Sequence, residues 1–225
     1  MLIPENFNFK FGYDTDEIKK KLSSNLEILV LEGSQDCNLR CGYCIFGGNY
    51  LGERNHKSFN MDLNIARKSI EYFLEHSLET RPLRAISFYG GEPLMNFELI
   101  KKIIDEYGKE KRTFFTISTN GIFLERYADY LRENGVTISL SLDGPREIHD
   151  KNRVTINGKP TYDIIMKGLK KLGEDFVKRK LSFSSTITKS EDFIESYKYF
   201  RDNYPNNGVR LEFIKNYEIS EPCRG

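Results

Sequence analysis

Two patterns of hydrophobic positions alternate along the chain and predict strands and helices in turn. Short, nearly continuous apolar runs are typical of buried strands, whereas apolar positions three or four residues apart are typical of helices. Apolar runs predict strands over residues 26–31, 84–89, 114–118, 136–142, 181–187 and 209–214. Helical spacing predicts helices over residues 61–76, 97–108, 124–134, 162–172 and 193–203. A charged stretch over 14–21 is a further candidate helix within a lead-in of residues 1–25.

This alternation predicts an α/β fold built on one parallel sheet. Parallel strands need crossover connections, and these place helices against the sheet. An open, curved sheet of this kind carries its functional loops at the carboxyl ends of the strands. Polar or glycine-rich segments follow four of the strands, at residues 37–44, 90–93, 118–121 and 141–144. The sequence therefore predicts that these four segments share one rim of the sheet.

Composition and charge narrow the classes of protein that fit. The 225 residues are 39% hydrophobic and 30% charged, so the chain can bury a large core. The formal net charge is +1, and this disfavours a nucleic-acid partner because domains that bind a phosphate backbone usually carry a clear basic excess. No segment approaches the roughly 18 apolar residues that span a bilayer, and the first residues lack a signal-peptide pattern. We therefore expect a cytoplasmic protein with no membrane partner.

The segment at residues 37–44 carries the strongest chemical signal. Cys37, Cys41 and Cys44 have the spacing C-x-x-x-C-x-x-C, and they are three of the four cysteines in the chain. Clustered cysteines in a reducing compartment indicate metal binding or catalysis rather than disulfides. Thiolates favour iron–sulfur clusters or zinc, and three protein ligands leave one coordination position free.

Two kinds of metal site are consistent with these ligands. One is a structural zinc site that adds His56 to the three cysteines, and the protein would then be a non-catalytic metal-binding or electron-transfer module. The other is an iron–sulfur cluster that lacks a fourth protein ligand. The position of the cysteines at the head of a long series of strands and helices favours the cluster, because small zinc modules rarely occur there.

The cysteine spacing resembles that of the radical S-adenosylmethionine (SAM) superfamily. The resemblance implies a [4Fe-4S] cluster held through three irons by Cys37, Cys41 and Cys44, with the fourth iron left for the amino and carboxylate groups of SAM. It implies a partial (βα)6 barrel, similar to an incomplete TIM barrel, over residues 26–215. It also implies an enzyme that takes one electron from an external reductant such as ferredoxin or flavodoxin, cleaves SAM reductively and abstracts hydrogen from a substrate.

Further residues match the cofactor site of the superfamily. Gly90, Gly91, Glu92 and Pro93 resemble the motif that meets the amino group of SAM. Glycines there allow close backbone approach, and Glu92 or adjacent carbonyls would accept from the ammonium. Tyr43 stands where the family usually carries an aromatic residue beside the adenine, although ordinary loop packing explains such a residue too.

Polar residues after the third and fourth strands complete the predicted cofactor site. Ser118, Thr119 and Asn120 suit the ribose and other polar atoms of the cofactor, or they form a capped turn. By the resemblance, Ser141 and Arg153 would hold the carboxylate of SAM, which a guanidinium matches in a bidentate way.

Two further sets of residues lie near these motifs, and each has an expected role. His149 and Asp150 are expected to be structural rather than catalytic, since a charged turn is usually a solvated one. Thr186, Phe213 and Ile214 lie near the ends of the last two strands, and their position suggests that they close over the adenine.

The pattern over residues 141–153 resembles the branch of the superfamily that modifies peptides and proteins. That branch carries S-x-D-G followed by H-D-x-x-R. Residues 44–50, followed by Arg54, His56 and Met61, resemble maturases that form thioether crosslinks from cysteine in ribosomally synthesised peptides. Anaerobic sulfatase maturases, which form formylglycine, share the features at 141–153. The predicted substrate is therefore a cysteine-containing precursor peptide, with thioether formation as the predicted reaction. The alternatives are formylglycine formation and another radical SAM modification of a peptide.

Both groups normally carry a cysteine-rich C-terminal extension, called SPASM or twitch, that holds auxiliary clusters. Cys223 falls about where the first auxiliary ligand of such an extension would be. We therefore expect residues 216–225 to be the start of a missing or truncated extension, with Cys223 as a candidate ligand. The alternative is a stand-alone variant in which Cys223 is a free thiol. An auxiliary iron–sulfur cluster is expected only if that extension exists.

Overall fold

A six-stranded parallel sheet forms the centre of the computed structural model, which describes residue 16 and residues 26–48, 50, 53–77, 84–110 and 112–214. The strands are β1 (Ile28–Ser34), β2 (Arg84–Gly90), β3 (Thr113–Thr119), β4 (Thr137–Ser141), β5 (Leu181–Ile187) and β6 (Val209–Phe213). They follow one another across the sheet in chain order, and the sheet is open because β1 and β6 are its two edges. The predicted fold class and the six predicted strands are confirmed.

Helices connect the strands and cover one face of the sheet. They are α1 (Leu63–Glu75), α2 (Phe97–Tyr107), α3 (Leu124–Glu133), α4 (Arg146–Asn152), α5 (Tyr162–Leu172), α6 (Glu174–Lys180) and α7 (Ser190–Asn203), with a short 3₁₀ helix at Pro93–Asn96. The five helices predicted beyond residue 60 are confirmed. The candidate helix over 14–21 lies outside the described residues, apart from residue 16. None of the described helices is long and apolar enough to cross a membrane.

Three short helical segments were not predicted from the sequence. They are α4, α6 and the 3₁₀ helix, of seven, seven and four residues. An apolar repeat becomes visible only over several turns, so elements of one or two turns give little periodic signal. In α6 a single adjacent pair, Phe176 and Val177, is buried, and charged residues make up the rest of the helix.

The two faces of the sheet differ in character. One face packs fully buried residues, including Ile86, Phe88, Ile117, Leu140 and Phe183, against the helices. The opposite face carries hydroxyl side chains at paired positions of β3, β4 and β5, namely Thr116 with Thr137, Ser118 with Ser139, Ser139 with Ser182, and Ser141 with Ser184. Over β3, β4 and β5 this inner face is therefore polar, and it leads up to the carboxyl ends of the strands.

A side-chain cap marks the start of α1, and a glycine marks the end of α3. Oδ1 of Asp62 accepts from the backbone N–H of Asn64 at 2.8 Å and so begins α1. Gly135, after α3, has a φ of +61°, a left-handed conformation that favours glycine. The end of α3 therefore lies where the sequence places it.

Candidate functional site

The three cysteines of residues 37–44, the cysteine loop, line one cavity at the carboxyl end of β1. The cavity encloses about 330 Å³. Its wall also includes Tyr43, Gly90, Gly91, Ser118, Thr119, Asn120, Ser141, Arg153, Thr186 and Ile214. The structure therefore brings residues from all four segments of the predicted rim around one space.

Backbone hydrogen bonds hold the cysteine loop against the segment that follows α4. The N–H of Arg40 donates to the Val154 carbonyl at 2.8 Å, and the N–H of Gly42 donates to the Asn152 carbonyl at 3.1 Å. Leu39, directly before Arg40, is fully buried. The positions of the cysteines thus depend on a distant part of the chain.

Two of the thiols are strongly affected by burial. Burial raises the pKa of Cys37 to about 12 and that of Cys41 to about 11, although the nearby Arg153 guanidinium opposes the rise at Cys41. Sγ of Cys37 accepts from the N–H of Leu39 at 3.4 Å and lies 3.6 Å from Nδ2 of Asn120. Both thiols hold their protons near neutral pH until a metal displaces them.

Gly90 and Gly91 let the end of β2 pack directly against the cysteine loop. Gly90 has a φ of +141°, and a Cβ there would clash with the carbonyl oxygen of Ser34. A Cβ on Gly91 would clash with the carbonyl oxygen of Asp36. The missing side chains also leave the backbone of both glycines on the cavity wall.

Glu92 faces inward, away from the position expected for a cofactor contact. Its carboxylate accepts from the Leu94 N–H at 3.0 Å, the Thr119 hydroxyl at 2.8 Å and the Asn120 N–H at 2.7 Å. Burial raises its pKa to about 7, against these three hydrogen bonds. Among the described residues that line the cavity, neither Glu92 nor the buried Pro93 occurs. The expectation that the Glu92 carboxylate meets the cofactor is therefore revised, because its oxygens already tie β2 to β3.

Asn120 links the end of β3 to the cysteine loop. Its Nδ2 donates to Oδ1 of Asn38 at 2.7 Å, while its Oδ1 accepts from the Ile122 N–H at 3.1 Å. The second bond forms the capped turn that was the alternative interpretation of this segment. Ser118 stands on the inner face of the sheet, on the cavity wall.

Asp143, fully buried after β4, joins the cysteine loop to Arg153. Its Oδ2 accepts from the Tyr43 hydroxyl at 2.6 Å, and its Oδ1 accepts from Nε of Arg153 and the N–H of Thr186, both at 3.0 Å. Cζ of Arg153 lies 5.3 Å from the centroid of the Tyr43 ring. In the sequence Asp143 is only one letter of the S-x-D-G motif, because its contacts are made by the tertiary fold.

Arg153 and Ser141 both stand on the cavity wall. Because Nε of Arg153 already donates to Asp143, a carboxylate in the cavity would be met by the two terminal nitrogens of the guanidinium.

His149 and Asp150 support this region from behind. Nδ1 of His149 accepts from the Asp143 N–H at 3.3 Å, and its Nε2 lies 3.0 Å from Oγ1 of Thr161. Burial and the nearby Arg153 lower the pKa of His149 to about 4, so the ring is neutral near pH 7. Oδ1 of Asp150 accepts from the N–H of Thr161 at 2.8 Å. These contacts suit the structural roles expected for both residues.

The far wall of the cavity contains expected residues as well as residues that the sequence did not single out. Thr186, Phe213 and Ile214 line it, as expected from their position, and Arg210 and Glu212 line it as well. Arg210 and Glu212 alternate along β6 and pair with inner-face positions of β5. That alternation was a usable signal once the direction of the inner face was known.

His56 lies beside the cysteines, with its Nε2 3.6 Å from Sγ of Cys44. Partial burial and the positive charge of Arg40 lower its pKa below the ordinary value. Within the described ranges, no three His, Cys, Asp or Glu side chains converge on one point as ligands of a single metal ion. The three thiols lie together on the wall of one cavity. Cys223 lies outside the described residues.

The donor set fits an iron–sulfur cluster and SAM. Three soft sulfur ligands share a cavity with N–H donors, glycine backbone and a guanidinium. Thiolates hold such clusters, and N–H groups near the sulfurs belong to their usual surroundings.

Comparison with known proteins gives the family. The sequence profile of the radical SAM superfamily matches residues 31–205. The chain belongs to the radical SAM superfamily. The matched range begins within β1 and ends after α7, so this radical SAM domain includes the cysteine loop and the ends of β2, β3, β4 and β5.

Curated relatives include two named enzymes. A cysteine-type anaerobic sulfatase-maturating enzyme from Clostridium novyi (strain NT) is 30% identical over 184 residues, which are 79% of this chain and 48% of that protein. The radical SAM cyclopropyl synthase TigE from Paramaledivibacter caminithermalis is 27% identical over 206 residues, which are 87% of this chain and 40% of that protein. The radical SAM chain thus spans less than half the length of these two relatives.

A solved structure shares the fold. Native anSMEcpe with bound AdoMet and Cp18Cys peptide matches with a TM-score of 0.70 at 24% identity, over 86% of this chain and 55% of that one. The likeness supports a radical SAM fold for the six-stranded sheet.

Proposed function

We propose that this chain binds a [4Fe-4S] cluster on Cys37, Cys41 and Cys44, cleaves SAM reductively and abstracts hydrogen from a peptide substrate. One observation carries the proposal: the three thiols share a single cavity with the glycine backbone after β2 and the polar side chains after β3 and β4. Three thiolates leave one iron without a protein ligand, and the neighbouring groups complement the amino and carboxylate groups of SAM.

Residues on the wall divide the work of holding the cofactor. The carbonyl groups of Gly90 and Gly91 would accept from its amino group. Ser141 and the terminal nitrogens of Arg153 would donate to its carboxylate. When bound, the cluster supplies the single electron that cleaves SAM, and the product 5′-deoxyadenosine carries a hydrogen atom taken from the substrate.

The nucleoside part of SAM would lie along the other walls. Ser118, Thr119 and Asn120 would bind the ribose and nearby polar atoms, and Thr119 would do so through its backbone because its hydroxyl is buried against Glu92. Tyr43 and Ile214 would pack against the adenine.

A peptide substrate is supported by the names of the relatives, one a sulfatase-maturating enzyme, and by the peptide in the anSMEcpe structure. The resemblance at residues 44–61 favours thioether formation, whereas the relative from Clostridium novyi favours formylglycine formation. Arg54 in that stretch pairs with Glu32 and stacks on Phe46, with Cζ 3.8 Å from the ring centroid. Loop packing thus accounts for Arg54, and it does not discriminate between the two reactions.

The two reactions differ in their balance of atoms. A thioether forms when a cysteine S–H bond and a C–H bond break and a C–S bond forms. One hydrogen atom then leaves in 5′-deoxyadenosine, one proton goes to solvent and one electron goes to an external acceptor. Formylglycine formation instead replaces the cysteine sulfur by oxygen from water, with loss of sulfide and the same two-electron oxidation.

A partner protein would supply the electron: an external one-electron donor such as ferredoxin or flavodoxin would reduce the cluster. In a longer protein with a SPASM or twitch extension, Cys223 would ligate an auxiliary cluster.

Anaerobic reconstitution with iron and sulfide, followed by reduction in the presence of SAM, tests this function. A brown protein that produces 5′-deoxyadenosine is expected, and a colourless zinc protein that produces none contradicts the proposal. Mass spectrometry of a cysteine-bearing peptide then separates the reactions. Loss of two hydrogen atoms alone indicates a thioether, whereas loss of two hydrogen atoms together with exchange of sulfur for oxygen indicates formylglycine.

A further inference from the structure

His56 lies against a cysteine sulfur rather than against a predicted SAM contact. Its Nε2 is 3.6 Å from Sγ of Cys44, within the range of an N–H···S hydrogen bond, and the residue is part of the cavity wall. Neither of the two metal sites considered from the sequence gives His56 this place. One makes it a zinc ligand, and the other gives it no role.

Contacts with Phe46 position His56 and its imidazole ring. The backbone N–H of His56 donates to the Phe46 carbonyl at 3.0 Å. Its ring meets the Phe46 ring edge to face, with centroids 6.5 Å apart and planes at 73°. The guanidinium of Arg54 stacks on the Phe46 ring and forms an ion pair with Glu32. The ring therefore stays directed at Cys44 without any bond to a metal.

The hydrogen-bond partners determine which ring nitrogen carries the proton. A neutral imidazole has one N–H donor and one acceptor nitrogen. Nδ1 of His56 is buried and makes no hydrogen bond of ordinary geometry among the described residues, although the Gln35 carbonyl lies close enough to the ring to affect its pKa. A buried N–H without an acceptor is costly and rare, so the proton belongs on Nε2, where the sulfur can accept it. A metal-bound thiolate carries no proton and can only accept.

We propose that His56 donates an Nε2–H hydrogen bond to the Cys44 thiolate of the cluster and thereby raises the reduction potential of that cluster. This inference rests on the proposed function, since it requires the cluster to be present. Hydrogen bonds to the ligand sulfurs are one of the factors that set the potential of iron–sulfur clusters. The donor acts because it stabilises the additional negative charge of the reduced state. His56 is thus a tuning residue that eases the transfer of one electron from the external donor.

Redox titration of the reconstituted full chain, followed by electron paramagnetic resonance, tests this role. H56F removes the donor and keeps a ring of similar shape, whereas H56Q keeps an N–H donor. H56A is a second donor-free variant, which serves if H56F is too poorly packed to fold. N55A, at the exposed neighbouring position, is the matched control.

The midpoint potential should shift to a more negative value in H56F and H56A while iron content stays that of the unchanged protein. H56Q and N55A should stay close to the unchanged protein. Equal potentials in all variants at equal iron content overturn the inference, as does the same shift in H56Q and H56F. If the unchanged protein itself takes up no cluster, the proposed function fails first, and this result is distinct from a cluster whose potential is indifferent to His56.

Discussion

The hydroxyl group of Tyr43 donates a 2.6 Å hydrogen bond to Oδ2 of Asp143, 100 residues further along the chain. Tyr43 lies between two of the cysteines, whereas Asp143 follows β4 and forms a buried ion pair with Arg153. The bond therefore fixes the cysteine loop relative to the guanidinium proposed to bind SAM. The proposed cluster ligands and cofactor ligands belong to one hydrogen-bonded unit.

Replacing Tyr43 by phenylalanine removes this donor from a buried carboxylate. We expect Y43F to lower the free energy of unfolding by about 1–3 kcal/mol, the usual cost of leaving a buried polar group unsatisfied. Urea denaturation of the protein before cluster reconstitution measures the change. Y130F is the matched control, because the Tyr130 hydroxyl donates to Asp105 at 2.7 Å on the exposed surface. If Y130F lost as much stability as Y43F, burial of the hydrogen bond would not explain the loss in Y43F.

Ser141 is proposed to donate to the carboxylate of SAM. S141A should weaken SAM binding by about tenfold or more, the equivalent of one hydrogen bond to a charged group, while iron content is unchanged. Equilibrium binding of SAM to the reconstituted protein measures this. S139A, on the same inner face of β4, should bind SAM as the unchanged protein does. Equal affinities in S141A and S139A would remove Ser141 from the cofactor site.

Gly91 permits the close contact between β2 and the cysteine loop. In G91A the new Cβ would clash with the carbonyl oxygen of Asp36, so the loop must move. We expect a loss of stability of about 1–3 kcal/mol, typical of overpacking, together with reduced iron uptake. G42A is the control within the loop, since a Cβ on Gly42 would meet no atom within 4 Å. Normal iron content and stability in G91A would show that the contact is not required.

Glu92 should make stability depend on pH. Its ordinary pKa of 4.5 is raised to about 7 in the folded protein, so the folded state binds the proton more tightly than the unfolded state does. The free energy of unfolding should therefore decrease as pH rises from about 4.5 through 7, by an amount on the order of 3 kcal/mol.

Denaturation at a series of pH values in the unchanged protein and in E92Q isolates this effect, because E92Q cannot titrate. The pKa of His149 is lowered to about 4, so His149 makes the free energy of unfolding increase with pH in the acid range. This contribution is the same in both proteins and cancels in the comparison. Cys37, a titratable neighbour of Glu92, stays protonated across this range. Identical pH profiles in the two proteins would show that the Glu92 pKa is not raised.

Most of the fold was predictable because the alternating apolar patterns leave few choices. A parallel sheet follows from six strands separated by helices, and a parallel sheet brings Cys37, Gly91 and Ser141 to the same rim. The directions of individual carboxylates were not predictable in this way. Glu92 is turned into the space between β2 and β3, and Asp143 is turned towards Tyr43 and Arg153, because tertiary packing places hydrogen-bond donors there. The local sequence pattern around Glu92 or Asp143 does not show which distant residues are their hydrogen-bond partners.

Three cysteines of one loop are proposed to bind a cluster that cleaves SAM. The most direct test is anaerobic reconstitution of the unchanged chain, C41A and C223S, with iron content, absorption spectrum and 5′-deoxyadenosine measured for each. The unchanged chain and C223S should be brown and produce 5′-deoxyadenosine, whereas C41A should lose both properties. A full brown chromophore in C41A, or an unchanged chain that stays colourless and leaves SAM intact, would contradict the claim.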